Sequence, residues 1–188
     1  DHEIFNKLEN ISGKIIDGRK NAFPGEVISD FLQENKNFFP KLEEFANQIF
    51  DKVKQNNRTR YIALCKFLKD EYGITVKDVI PKEGKPFSKI YKVKDKELLL
   101  SDYLSLETKK LFAAAQISQE GASKEINEYL STFNFTTAES KKLTRVALLN
   151  YCGAAILMPY SLFHKECKEL KYDLELLQNT FATSFEQV

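Results

Sequence analysis

The apolar positions follow two rhythms, and the change between them divides the chain. Up to residue 73 they recur every three or four places. Ile4, Phe5, Leu8, Ile11, Ile15 and Ile16 predict a first helix, which "DGRKNAFPG" ends with Gly18, Pro24 and Gly25. "EVISDFLQEN" predicts a short second helix. In "NFFPKLEEFANQIFDKVKQ", Leu42, Phe45, Ile49, Phe50 and Val53 mark one face of a third. Tyr61, Leu64, Cys65, Leu68 and Tyr72 do the same for a fourth, and Gly73 stands where a C-terminal cap belongs.

Between residues 74 and 100 the rhythm shortens to two. "ITVKDVI" and "FSKIYKV" alternate apolar with charged side chains and are rich in β-branched and aromatic residues, which predicts strands. "PKEGKP" separates them, "KDK" turns the chain into "ELLLS", and the three segments predict a small antiparallel sheet. Ser101 or Asp102 is then the expected cap of a helix over 102–122. Helices follow from 123 in "SKEINEYLSTF" and over 137–159, then in "YSLFHKECKEL" and "DLELLQNTF", with Asp173 as the N-cap of the last. The fold class expected is α+β, mainly helical, with a helical N-terminal subdomain over 1–73 and a core over 74–188.

Composition narrows the partners. With 188 residues and 43% hydrophobic content the chain can bury a real core, built largely of rings: 15 Phe and 8 Tyr without a Trp. The 28 Lys and Arg nearly balance the 27 Asp and Glu, so no overall field attracts nucleic acid or an anionic membrane. Cys65, Cys152 and Cys167, an odd number at wide spacing, suit reduced thiols in a cytoplasmic protein. No CxxC or clustered His and Cys suggests a metal site, and His164 has no partner at ligand spacing. No apolar run reaches the ~20 residues that span a bilayer. The start without Met and the stop at "SFEQV" read as cuts in a longer polypeptide.

Two stretches invite closer reading. "NYCGAAILMPYSLF", residues 150–163, holds the adjacent small residues Gly153, Ala154 and Ala155 before Met158 and Pro159. On a helix over "LFAAAQISQ", Phe112, Ala115, Gln116 and Gln119 share one face at i, i+3, i+4 and i+7.

The segment "RVALLNYCGAAILMPYSLF…KELKYDLELLQNTFATSFEQV" closely resembles the bacterial short-chain fatty acyl transcriptional regulators, a branch of the ImmA/IrrE metallopeptidase-like family. "NY" at 150–151, "LMPY" at 157–160, "YD" at 172–173 and "SFEQV" at 184–188 carry the match. "LSLETKKLFAAAQIS", "GITV" and "IYKVKDKELLLS" are weaker echoes, as is "DFLQENKNFFPKLEEFA". Cys152 and Gly153 depart from the family's usual Phe and Ala, and Lys171 from its usual Arg. The resemblance implies that 74–188 is a degenerate zincin-like core, continued beyond this chain. It also implies that the 150–163 helix packs closely on the Ala113–Ala115 helix through its small residues. In the catalytic relatives two His and a Glu would stand at the places held here by Ala115, Gln119 and Gln116, with a third carboxylate ligand near Ala147, Leu148 and Leu149. None of these side chains supplies an imidazole or carboxylate, so neither zinc nor peptidase activity is expected.

The function implied instead is that of a sensor domain in a transcription regulator, not an enzyme. Its effector would be a short-chain acyl-coenzyme A or related metabolite, and DNA would be bound through a helix-turn-helix outside this chain. In that reading Phe112, Ala115, Tyr151 and Tyr160 line an acyl pocket, while Gln116, Gln119 and Asn150 bond a thioester or amide oxygen. Arg145 and Lys171 meet the coenzyme's phosphates, with Lys109 and Lys110 as second candidates. Each has a plainer alternative: core rings, solvated lysines, an Asn150 tied to nearby backbone, an Arg145 paired with Glu139 or another carboxylate. Two other classes stay open, a residual hydrolase and a homo-oligomeric or partner-binding scaffold. The scaffold would use Phe38, Phe39, Phe45 and Phe50 as its interface.

Overall fold

A computed structural model describes residues 24–54, 60–135 and 137–185. The expected helix over Ile4–Ile16 lies outside them. Helices α1 (Pro24–Glu34), α2 (Pro40–Val53) and α3 (Arg60–Tyr72) come first. The capping of α3 follows the sequence expectation: Gly73 adopts φ +72° and its N–H donates to Lys69 O, an αL cap, while Ile74 N–H donates to Leu68 O.

Strands β1 (Thr75–Val79), β2 (Lys89–Lys92) and β3 (Glu97–Ser101) form one sheet in the order β1-β3-β2. The sheet is mixed, which corrects the antiparallel expectation: β3 pairs antiparallel with β2 but parallel with β1. The reason is the length of residues 80–88. A loop that long exceeds the two to five residues of a hairpin and carries the chain one strand spacing past β1, where β3 then inserts. Leu98 and Leu100 of β3 are fully buried beneath the helices.

Helix α4 (Leu106–Gly121) starts later than the expected 102, because Ser105, not Ser101 or Asp102, caps it by accepting from Thr108 N–H at 3.2 Å. Asp102 is instead held by Lys109 Nζ at 3.1 Å. Helices α5 (Ser123–Thr132) and α6 (Ala138–Leu157) follow; Thr137 caps α6 through Ser140 N–H at 3.0 Å. At Met158 and Pro159 the chain bends by 58° into α7 (Tyr160–Glu169). Asp173 caps α8 (Leu174–Phe181) as expected, accepting from Leu176 N–H at 3.1 Å.

Helix α6 is the axis of the fold. It packs on α4 most extensively and also on α1, α2 and α5. One apolar cluster joins α2, α3, the sheet, α4 and the end of α6; a second, rich in rings, joins α1, α2, α5 and the middle of α6. Among the described residues no single helix is long and apolar enough to cross a membrane. Cys65, Cys152 and Cys167 are free thiols. Burial pushes Cys152 up to about 12 and Cys65 to about 11, so neither is a ready nucleophile.

Candidate site at the β2–α4 cleft

The contact between α4 and α6 is set by Gly153. A β-carbon there would lie 2.9 Å from Ala115 N, closer than β-carbons come to backbone, and 3.1 Å from its Cα. The close approach expected of this small-residue stretch is therefore present, and it needs glycine at its tightest point. Ala113, Ala114 and Ala115 are all buried. Ala115 offers α6 only its backbone and a methyl group, pressed against Gly153.

The neighbouring face of α4 looks towards edge strand β2. Phe112 is 9% exposed, and the Lys89 ammonium of β2 stands 5.4 Å from its ring centre. Lys89 is exposed as a residue, yet its ammonium is crowded by protein, and desolvation lowers its pKa. One turn further along α4, Gln116 is 3% exposed and its Nε2 donates to Glu120 Oε1 at 2.8 Å. Burial, and then the Glu120 carboxylate, raise the pKa of Tyr91, two residues after Lys89 on the same strand face. Phe112, Gln116 and Glu120 thus form a stripe on α4 at i, i+4 and i+8, opposite Lys89 and Tyr91 of β2. This contact, the β2–α4 cleft, holds a cation at one end, a neutral amide in the middle and a carboxylate beside a phenol at the other.

An open groove of about 630 Å³ adjoins the Lys89 end. Phe87 and Ser88, the residues just before Lys89, help line it, together with Pro81, Ser101 and Tyr103. Pockets for small molecules have this size.

The other candidates from the sequence are dispersed. Gln119 is half-buried, beside Ser123, which donates to its backbone carbonyl. Arg145 binds Asn127 Oδ1 at 2.5 Å and Ser123 Oγ at 3.0 Å, neutral partners in place of the carboxylate of the plainer alternative. Asn150 is exposed. Tyr151 reaches the opposite side of α6, donating from its hydroxyl to Glu43 Oε1 at 2.6 Å and accepting from Phe39 N–H at 3.4 Å. That bond ties α2 to α6 and stacks Tyr151 edge-on to Phe39. Tyr160 is exposed, with its ring against Phe38 and His164. Lys171 is exposed on a left-handed turn at φ +54°.

Lys109 bridges Asp78 at 3.3 Å and Asp102 at 3.1 Å, and Lys110 is buried. The structure therefore gathers Phe112 and Gln116 with Lys89, Tyr91 and Glu120, and the last three were not on the sequence's list. The alternation of "KIYK" put Ile90 and Tyr91 on opposite faces but said nothing about which helix β2 covers.

The sequence resemblance sets Ala115, Gln116, Gln119 and the neighbourhood of Leu148 at the metal places of a peptidase, and these residues do not fit zinc. Ala115 has no donor atom, Gln116 spends its amide on Glu120, and Leu148 is buried apolar packing. Among the described residues no group of three or more His, Cys, Asp or Glu is placed to hold a metal ion.

The IrrE N-terminal-like domain family, a peptidase family by title, matches residues 69–188, and the chain belongs to it. The HTH-type transcriptional regulator PrpR of Mycobacterium tuberculosis is 28% identical over 167 residues, covering 88% of this chain and 34% of that protein. RamB, an HTH-type regulator of the same species, is 25% identical over 167 residues, covering 89% and 35%. A propionyl-CoA carboxylase regulator of Cereibacter sphaeroides is 39% identical over 59 residues, covering 31% and 13%. Among solved structures, a Mycobacterium tuberculosis transcriptional regulator superposes with a TM-score of 0.80 at 27% identity, covering 88% of this chain and 50% of that one. The chain spans about a third of the length of the curated regulators that it matches along most of its own length.

Proposed function

We propose that this chain is the effector-sensing part of a cytoplasmic bacterial transcription regulator, and that a short-chain acyl-coenzyme A or related metabolite binds in the β2–α4 cleft. The observation that carries the reading is the polar stripe of Gln116, Glu120 and Tyr91 with Lys89 over Phe112. On the resemblance read from the sequence, Gln116 stands where a catalytic relative would carry its glutamate, and Ala115 and Gln119 where it would carry its two histidines. A thioester or amide oxygen accepts from Gln116 or Lys89, the acyl chain lies on Phe112, and the remainder of the ligand extends into the groove beside Ser88. Names of relatives support the context: two are HTH-type transcriptional regulators and a third is a propionyl-CoA carboxylase regulator. DNA recognition would then belong to a part of the regulator outside this chain, and binding would bias that part by favouring one of two arrangements of the domain. No peptidase step is assigned.

The scaffold alternative draws less from the structure. Phe39 is fully buried and Phe45 and Phe50 are half-buried, so the ring-rich segment is mostly core, with Phe38 as its exposed member.

A thermal-shift series with coenzyme A and its acetyl, propionyl, butyryl and palmitoyl esters tests the proposal. A ligand of the native state at a hundredfold excess over Kd adds about 2.7 kcal/mol of stability. A shift graded by chain length is expected. No shift with any ester would reject the sensor reading.

A further inference from the structure

At the start of α3 two cations are enclosed without an ion-paired carboxylate among the described residues. Arg60 is 7% exposed and Lys110, on α4, is 2% exposed. Neither takes part in a salt bridge among the described residues. Both reach the turn after α8 instead. Arg60 Nη1 donates to Phe181 O at 3.4 Å and to Leu157 O, at the end of α6, at 3.0 Å; Lys110 Nζ donates to Ala182 O at 2.5 Å. Thr183, the next residue, is 3% exposed, and its Oγ1 is buried without a hydrogen-bond partner, as is Arg60 Nε.

Carbonyl dipoles satisfy donors but do not neutralise charge, and a buried charge without a counter-charge is costly. The Phe50 ring, 5.5 Å from the Arg60 guanidinium, compensates only in part. Burial lowers the pKa of both side chains; Glu107 opposes the shift on Lys110, and the charge of Arg60 adds to it. Arginine cannot escape by losing its proton. What remains is a donor set: the Nε edge of a planar fork, the further N–H groups of an ammonium and a hydroxyl. Such a set matches an anion that accepts several hydrogen bonds at once, and the fork suits oxygens arranged as in a carboxylate or phosphate.

We propose that Arg60, Lys110 and Thr183 form a binding site for one compact oxyanion, a carboxylate or a phosphate group. The site shares no residue with the β2–α4 cleft and stands or falls independently of the effector reading. Because it joins the start of α3, α4, the end of α6 and the turn after α8, its occupant would hold four elements together.

Thermal unfolding of the purified protein at matched ionic strength, in chloride, phosphate, acetate or sulfate, tests this site. A saturable rise in melting temperature with phosphate or acetate over chloride is expected, and which of the two acts identifies the group. Thr183→Val, which keeps both charges, should weaken the half-saturating concentration about tenfold, and Lys110→Met should abolish the response. If Lys110→Met does not fold, calorimetric titration of the wild type and Thr183→Val carries the test. A non-saturating rise shared by sulfate and phosphate in every variant, as excluded salts give, would overturn the site. So would the absence of binding heat from any of these anions.

Discussion

Helix α4 has two faces that the protein treats in opposite ways. The face against α6 presents Ala115, buried and so close that Gly153 is required opposite. The face towards β2 carries a buried amide, an exposed carboxylate and an overlying ammonium. Residues one position apart, Ala115 and Gln116, belong to these two environments. The first face fixes where α4 lies; the second is what that placement offers to a ligand. Changes on the β2 side therefore need not loosen the fold, because the helix is held by its other side.

Substitutions on the two faces should separate stability from binding. Gly153→Val drives a branched side chain into the Ala115 backbone, which cannot move aside; a loss of about 3 kcal/mol or more is expected from urea unfolding. Next comes Tyr151→Phe, which removes the donor from the buried Glu43 carboxylate and should cost about 1–3 kcal/mol.

That variant also carries a pH signature. Burial, and then the hydrogen bond to Glu43, hold the Tyr151 phenol above its ordinary 10.0. A pKa raised on folding contributes stability that is fully present below 10.0 and is lost as pH rises beyond it. The urea midpoint should hold up to about pH 9 and fall increasingly as pH rises beyond about 10, the free phenol value, less steeply in Tyr151→Phe; Tyr61, also raised by burial, keeps part of the slope.

Smaller effects belong to the cleft and the thiols. Gln116→Leu should change stability by less than about 1 kcal/mol, since Glu120 is exposed and keeps solvent as a partner. If it unfolds the protein instead, the two faces are not separable. The smallest signal is kinetic: a thiol reagent near neutral pH should reach half-exposed Cys65 before buried Cys152, whose reaction should wait for unfolding.

The helices were legible because their stop signals are local. Gly73 closes α3, Asp173 opens α8, and Met158 with Pro159 ends α6, each through a bond within a few residues. The α4 cap was misplaced because Ser101, Asp102 and Ser105 all suit that role, and the Lys109 ion pair claimed Asp102. Strand order escaped because β1–β3 pairing depends on what a long loop skips, which no local pattern records. The same limit applies to the site. Spacing along α4 put Phe112 and Gln116 on one face, but Lys89, Tyr91 and Glu120 join them only through tertiary packing. Likewise Tyr151, adjacent to Asn150 in the motif, points to Glu43 on the far side of α6.

The most direct test of the cleft is a calorimetric titration of propionyl-coenzyme A into the wild type, Lys89→Ala and Gln116→Leu, each shown to be folded. The account predicts binding to the wild type and affinity reduced about tenfold or more in both variants, about 1.4 kcal/mol each. Binding of equal strength to all three would place the ligand elsewhere and contradict it.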